Sequence, residues 1–571
     1  MRYLAFATDY DGTLATDGAV AESTVRALEN LKASGRRLLL VTGRHLRDLQ
    51  PAFARLELFD KVVAENGAVL YTPSSREERV LAEAPKKEFL EALRAAGVKF
   101  TVGRAIVSSW TPAETAILEA IKRLGLDCQL IFNKGAVMVL PSGINKATGM
   151  RVGLEDLQLS LHNVVAIGDA ENDHALLSQS ECGVAVANAL PALRETADLV
   201  TRGDSGAGVV ELIEQLLSDD LRSYDRLLAR SAIAIGLEQG TKRGEVRIVP
   251  NRDSMLVAGA SASGKSSAVA GILEEAEQRG YQFCLIDPEG DFEGFAGAVP
   301  IGSPTERPDA NMVEKVLKSP QNLIVNLMGV SLAERPGAFA ALLPRILETR
   351  ARTGRPHWLV IDEAHHLLPT TWAPASSAIP QELGGTILIT VHPERVSAAA
   401  LVFVDVVVAL GKDAGQTVAE FAKATHMSEP RELPEKPPEP GEALLWLVRQ
   451  GGPAALLQTL STRSERRRHK RNYAQGELSP EQSFFFRGPE GRLNLRAQNL
   501  LTFLQLGEGV DEETWLFHLR RGDFAHWFES VIKDEELASC ARDIERAGPG
   551  QVAEGRKKLR EAVEKRYTAP A

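Results

Sequence analysis

Short apolar runs that end in acidic, hydroxylated or glycine residues recur along this chain. Stretches with apolar positions three or four residues apart separate them. LAFATDY, RLLLVTG, KVVAEN and NVVAIGD alternate with amphipathic helical segments from residue 1 to about 217, the pattern of a doubly wound parallel sheet. In such sheets ligands bind beyond the carboxyl ends of the strands, so Asp9, Thr42 and Asp169 are predicted to converge there. From about 72 to 141 the rhythm changes. Helices around KEFLEALRAAG and PAETAILEAIKRLG, with strands VKFTVG, CQLIFNKG and AVMVLPS, predict a small α+β cap over the open edge, with GRAIVSSW as a loop.

A helical connector around LRSYDRLLARSAIAIG leads into a second α/β unit, residues 222–463. Its strands are expected at EVRIVP, SMLVAG, QFCLID, NLIVNL, HWLVID, TILITV and VVVALG, with a closing hairpin EALLWLVRQGGPAALLQTL. A basic linker, 464–478, contains most of the run RSERRRHKR, which reads first as a solvated segment and second as a nucleic-acid contact. Residues 479–571 read as a helical C-terminal domain in which Trp515, Phe517, Phe524, Trp527 and Phe528 belong to a core. The fold class is therefore α/β: two Rossmann-like doubly wound domains, the first capped, followed by helices.

Composition changes this picture little. Of 571 residues, 44% are hydrophobic and 25% charged, the balance of a globular protein, and the net charge of -10 weighs against a protein that coats nucleic acid. No apolar run approaches the roughly 20 residues of a membrane helix, and Asp9 and Asp11 interrupt any signal peptide. Four scattered cysteines read as reduced thiols, and the expected location is the cytoplasm.

The first candidate chemistry lies in DYDGT. A strand-end carboxylate, Asp9, with a second, Asp11, two residues on suits a covalent acyl phosphate formed and hydrolysed in two steps. Phosphate beside clustered acids demands cations. Lys146 in GINKATG supplies one, Asp169 and Asp173 in GDAEND offer ligands for Mg2+, and Thr42, Gly43 and Asn172 are placed to hold phosphate oxygens. DYDGT, TGR, ENGA, Lys146 and GDAEND together resemble the haloacid dehalogenase superfamily, in its Cof-like, sucrose-phosphate-phosphatase-like branch with a type IIB cap. That resemblance implies Asp9 as nucleophile and Asp11 as general acid/base. It also implies Mg2+ held by Asp9, the Asp11 carbonyl and Asp169, with Asp173 in support, and a phosphorylated small molecule as substrate.

The second candidate chemistry lies in GASASGKS. Gly259, Ala260, Ser261, Ala262, Ser263, Gly264, Lys265 and Ser266, followed by Ser267, fit a phosphate-cradling loop between a strand and a helix, which implies ATP. Lys265 reaches the terminal phosphates, Ser266 and Asp362 suit Mg2+, and Glu363 suits activation of water. His392 is a candidate sensor of the terminal phosphate, and Arg395 a finger toward a neighbour's nucleotide. GASASGKS, LIDPEGDF with Asp287, Glu289 and Asp291, LVIDEAHH and LITVHPERV resemble the ATPase domain of HerA-like and FtsK-like proteins, which implies ATP hydrolysis and a possible homo-oligomeric ring.

Three readings of the whole are open: a phosphatase of phosphosugar-like or phosphoglycolate-like esters regulated or assembled by its ATPase, a nucleic-acid machine that trims phosphorylated ends, or a polynucleotide kinase and phosphatase.

Overall fold

The computed structural model describes residues 1–225, 227–228, 230–239, 244–261, 263–371, 384–462, 478, 480, 482–532, 534–547 and 552–567. Ala262 and the basic run at 463–471 lie outside the described residues.

The expected first sheet forms around the strand Ala5–Thr8. Its strand order is Leu199–Val200, Cys182–Ala185, Val164–Gly168, Ala5–Thr8, Arg37–Val41, Lys61–Ala64, Val69–Thr72, Glu77–Val80. The first six pair in parallel and the last two antiparallel. The central strands are buried on both faces, which is why they read as unbroken apolar runs. Strand Glu77–Val80 thus extends this sheet rather than opening the cap.

The cap is a separate four-stranded antiparallel sheet, in the order Thr101–Val102, Val107–Trp110, Ala136–Pro141, Cys128–Asn133. Helices Lys87–Ala95 and Glu114–Leu124 pack on it through Phe89, Leu93 and Ile117. GRAIVSSW, expected as a loop, contributes the strand Val107–Trp110, whose Val107 and Ser109 face inward. That two-residue alternation is a strand signal.

The second unit is built on an eleven-stranded sheet in the order 245–248, 233–238, 455–459, 442–447, 406–410, 255–259, 386–390, 358–361, 283–287, 322–326, 298–301. Its seven strands from 406–410 to 298–301 are parallel and the rest antiparallel. All seven expected strands are present, as is the closing hairpin. The helical connector is corrected: a short 3-10 turn, Arg222–Tyr224, is followed by the strand Ile233–Glu238. The β-branched Ile233 and Ile235 point into the core beneath the helix Lys265–Gln278, and that burial overrides the helix-forming Leu and Arg before them.

The two units dock through a polar junction. The Glu181 side chain, 0% exposed, accepts from Arg2 Nη2 at 2.9 Å and Tyr281 Oη at 3.0 Å, and pairs with His162 Nδ1 at 2.8 Å. His162 stacks on Tyr281 with ring centroids 3.7 Å apart, and Ser160 Oγ lies 2.9 Å from His357 Nε2. Arg355 donates to the Leu159 carbonyl at 2.9 Å.

The C-terminal region packs five helices, Leu500–Gly509, Glu512–Arg520, Asp523–Ser530, Glu535–Ala547 and Val552–Tyr567, with an unexpected hairpin, Phe484–Phe486 and Leu495–Ala497. Trp515, Phe524, Trp527 and Phe528 are buried there as expected, while Phe517 is half-buried beneath Arg521. Among the described residues no helix is long and apolar enough to cross a membrane.

Candidate active sites

Strand ends place the first set of side chains. Asp9 follows the strand Ala5–Thr8, and Asp169 follows Val164–Gly168, its parallel neighbour. Lys146 is the first residue of the helix Lys146–Asp156. Asn145 caps that helix: its side chain accepts from Thr148 N at 3.0 Å, and its own N–H donates to Thr148 Oγ1 at 2.9 Å. A lysine at a helix N-terminus opposes the helix dipole. Two carboxylates offset this, since Lys146 Nζ donates to Asp9 Oδ1 at 2.6 Å and to Asp173 Oδ1 at 2.7 Å. All three side chains are at most 5% exposed.

The electrostatics follow from that burial. Desolvation pushes the Asp9 carboxyl up to about 8, against the pull of Lys146 and with the push of Asp173 and Asp169. Desolvation also raises Asp169, opposed by the hydrogen bond from Lys134. Asp9, Asp169 and Asp173 each offer a carboxylate oxygen, and these oxygens lie within 4.8 Å of one another. Three buried oxygen donors so crowded match a hard divalent cation. Asp173 also organises its own loop, accepting from the N–H groups of Asp169 and Ala170 at 3.0 Å each.

The other expected residues take distinct places. Asp11 stands apart from the acidic group, its carboxylate held by Arg44 through Nε at 2.7 Å and Nη2 at 2.6 Å. Thr42 is buried and accepts from the Arg44 N–H at 3.1 Å. A Cβ at Gly43 would come within 3.2 Å of Asn66 Nδ2 and 3.5 Å of Asn172 Nδ2, so this position closes tightly on the two asparagines. Asn172 donates to Asn66 Oδ1 at 2.9 Å. Gly12, at φ +82°, admits no side chain, because a Cβ there would lie 2.4 Å from Asp169 Oδ2.

Three participants were given no role by the sequence, although DYDGT contains Thr13 and ENGA contains Glu65. Lys134, in the cap turn between Asn133 and Ala136, extends its ammonium to Asp169 Oδ2 at 2.5 Å. Thr13 donates to Asp169 Oδ1 at 2.8 Å. Glu65 clasps the cap, accepting from the N–H groups of Arg104 at 2.9 Å and Ala105 at 3.1 Å. The only sequence signal for Lys134 was a lysine at a predicted hairpin turn, FNKG.

In the second unit the loop after strand Met255–Gly259 bends through Gly259 and Gly264, both at positive φ, into the helix Lys265–Gln278. Lys265 Nζ donates to the carbonyls of Gly259 at 3.0 Å and Ala260 at 2.9 Å, so the loop wraps its own lysine. Ser266 Oγ donates to Asp291 Oδ2 at 3.0 Å. Asp287 accepts four backbone N–H groups of the DPEGDF turn, from Glu289 to Phe292. Burial, with Asp291 beside it, still pushes the Asp287 carboxyl up to about 7.

Asp362 ends the strand Trp358–Ile361 fully buried. Desolvation, then Asp291, Asp287 and Glu363, raise its carboxyl well above the usual range. Glu363 follows at φ +46°, a left-handed backbone unusual for glutamate. One strand, Thr386–Thr390, lies between the loop strand and the Asp362 strand, so Thr390 ends between the two groups. Thr390 Oγ1 contacts His365 Nδ1 at 3.1 Å and accepts from His392 N at 3.0 Å. His392 pairs with Glu394 at 3.2 Å, and the exposed Arg395 with the same carboxylate at 3.6 Å.

Clustered strand-end carboxylates bridged by a buried lysine, on a parallel sheet with a separate α+β cap, define a hydrolase that handles phosphoryl groups. Through residues 6–111 and 112–213 the chain matches the haloacid dehalogenase-like hydrolases, and it belongs to that family by this N-terminal part. It is 30% identical over 219 residues to phosphoglycolate phosphatase 2 of Saccharolobus solfataricus, covering 37% of this chain and 91% of the relative. It is 31% identical over 224 residues to a phosphoglycolate phosphatase of Methanothermobacter thermautotrophicus, covering 37% of this chain and 98% of that one. A haloacid dehalogenase-like hydrolase structure from Bacteroides thetaiotaomicron aligns over 38% of this chain and 99% of its own, at 20% identity and a TM-score of 0.34.

Proposed function

We propose that the first unit is a Mg2+-dependent phosphomonoesterase working through an aspartyl phosphate at Asp9, with a small acidic ester of the phosphoglycolate kind as substrate. The observation that carries this reading is Lys146, buried and bonded to both Asp9 and Asp173 with Asp169 alongside. Asp9, Asp169 and Asp173 are the side chains that would hold Mg2+, with the Asp11 carbonyl completing the set; the ion supplies neutralisation of phosphate charge beside the acids. Asp9 Oδ2 attacks phosphorus while Lys146 holds Oδ1, so the attacking oxygen is fixed and the cost of its charge lowered. Asp11 protonates the leaving oxygen and later takes a proton from the water that cleaves the acyl phosphate, once Arg44 has released it. Thr42, Gly43 and Asn172 bind the phosphate oxygens. The substrate class rests on the two phosphoglycolate phosphatases and on Lys134 and Arg44, cations that suit a leaving group bearing a carboxylate.

The second unit is read as an ATPase that regulates or assembles the first. Its support is the wrapped Lys265 with Asp362 and Glu363 on the next strand but one. A ring of copies remains part of this reading through Arg395, whose exposed side chain is 65% accessible. The nucleic-acid alternatives draw on the basic run at 463–471 and stand against a net charge of -10. The deciding experiment is a panel of phosphorylated metabolites and 3′- and 5′-phosphorylated oligonucleotides, with and without ATP. Phosphoglycolate turnover lost in Asp9→Asn and kept in Lys265→Ala is the expected result. Turnover retained in Asp9→Asn removes the nucleophile assignment, and turnover of oligonucleotides alone replaces the substrate class.

A further inference from the structure

A cavity of about 610 Å3 lies where the two units meet, outside both sites described above. It is walled on one side by the end of the first unit and on the other by the helix Arg335–Thr353 and neighbouring loops of the second. Small-molecule sites commonly span about 300 to 1,000 Å3 and favour domain interfaces.

The charge on its walls is uneven. Five arginines and two aspartates line it. Most of these are answered: Arg2 by Glu181 and Asp225, Arg252 by Asp225 and Asp253, Arg449 by Asp405, and Asp220 by Arg36. Arg350 differs. Among the described residues its hydrogen bonds go to two backbone carbonyls, of His357 at 3.0 Å and Gly385 at 3.3 Å. Desolvation lowers it to about 10, and among the described residues no carboxylate acts to raise it. A sequestered guanidinium facing only carbonyl dipoles is costly unless an anion joins it.

Two further donors point to the same ligand. Asn163, 1% exposed, and Asn251 both line the cavity, and the Nδ2 of each is buried without an acceptor. Buried amide donors left unsatisfied call for a bound partner. Arg222 stands exposed at the rim, while Leu347 and Phe403 give the wall an apolar face. The Arg350 fork and two amides offer more donors than one carboxylate accepts, and they match the three oxygens of a phosphate monoester. The volume exceeds that of an inorganic anion, and the apolar face asks for an organic body.

We propose that this junction cavity binds an organic phosphate, with Arg350, Asn163 and Asn251 on the phosphate, the positive charge of Arg222 at the rim attracting it, and Leu347 and Phe403 against the body. Asn163 immediately precedes the strand that ends at Asp169, and the carbonyl held by Arg350 belongs to His357, immediately before the strand that ends at Asp362. The ligand therefore sits at the origin of one acidic strand from each unit.

Isothermal titration of the full chain tests this, in an Asp9→Asn, Lys265→Ala background without Mg2+ so that the two other phosphate sites are weakened. ADP, glucose 6-phosphate and inorganic pyrophosphate are the probes. The expected result is one equivalent of ADP or glucose 6-phosphate bound at least about tenfold more tightly than pyrophosphate, and weakened at least about tenfold by Arg350→Met and by Arg222→Ala. Arg222 is exposed, so its substitution keeps the test valid if Arg350→Met unfolds the junction. The proposal is overturned if neither organic phosphate binds, if pyrophosphate binds as well as both, or if binding is indifferent to Arg222→Ala in a chain whose melting is unchanged.

Discussion

Replacing Lys146 by Met keeps the length and bulk of the side chain and deletes its charge. In the parent the ammonium is fully buried and joined to Asp9 and Asp173 at 2.6 and 2.7 Å. Removing one partner of a buried ion pair costs about 3–5 kcal/mol because the other charge is left uncompensated. Two effects limit the loss here: Asp173 keeps the two backbone N–H groups of its own loop, and Asp9, already pushed up to about 8, takes a proton near neutral pH. The expected deficit is therefore about 3 kcal/mol near pH 7 in the presence of a chelator.

The pH dependence has a definite sign. The Asp9 pKa is raised in the fold above its unfolded value, so the stability tied to it is fully present below the unfolded value and is lost as pH rises through the folded one. Without Lys146 the folded value moves higher still. The parent levels off above about 8, whereas the variant goes on losing up to about 1.4 kcal/mol per pH unit, so the deficit widens on the alkaline side. Calorimetry following the transition that Mg2+ shifts measures this, since a chain of several units need not unfold in one step. Hydrolysis of a generic aryl phosphate should fall about a thousandfold, the scale of removing one pre-placed charge at a reacting oxyanion. A deficit below about 1 kcal/mol, or one that narrows above pH 8, would refute the claim that Lys146 lowers the cost of charge in this buried group.

Lys134→Ala removes the cap ammonium from Asp169 Oδ2 and should lower the Mg2+ concentration for half-maximal activity by about three- to tenfold, read from metal titrations of phosphatase rate. On the proposed ATPase reading of the second unit, Glu363→Gln should cut ATP hydrolysis by about a hundredfold or more while nucleotide binding persists, measured by phosphate release beside fluorescent-nucleotide titration. Glu181→Gln should destabilise the junction by about 2–4 kcal/mol, visible as earlier melting. Burial raises the Glu181 carboxyl, but His162 and Arg2 outweigh it and hold it below the ordinary range. Its contribution is therefore present above the unfolded value and lost as pH falls through the folded one, so the parent should lose its advantage over Glu181→Gln in acid.

Local signals carried much of this architecture. The strands around Asp9, Asp169, Gly259 and Asp362 could be read because each is apolar along its length and polar at one end, a pattern that burial on both faces enforces. The connector misled because Leu and Arg favour helix locally, while the partners that make Ile233–Glu238 a strand lie at 245–248 and 455–459. Lys134 escaped notice for a similar reason: 35 residues separate it from Asp169, and only the folding of the cap unites them. The junction was illegible altogether. Glu181, His162, Tyr281 and His357 are each ordinary in their own segments, and their meaning is the contact between segments up to 197 residues apart.

That junction changes what coupling between the two units must involve. Ser160 and Asn163 precede the strand leading to Asp169, and His357 precedes the strand leading to Asp362. At about 3.3 Å per residue, five- and four-residue strands place each acidic group about 13–16 Å from its own strand origin. The two groups therefore lie at the far ends of strands that begin close together. On the proposed reading, in which the second unit regulates the first, the contact available for communication is the shared base, where Glu181, His162 and His357 pack the two units and where the arginine-lined cavity opens. Substitutions at that base should change how ATP affects phosphatase rate without touching either acidic group, and substitutions at the strand ends should abolish one activity and spare the other.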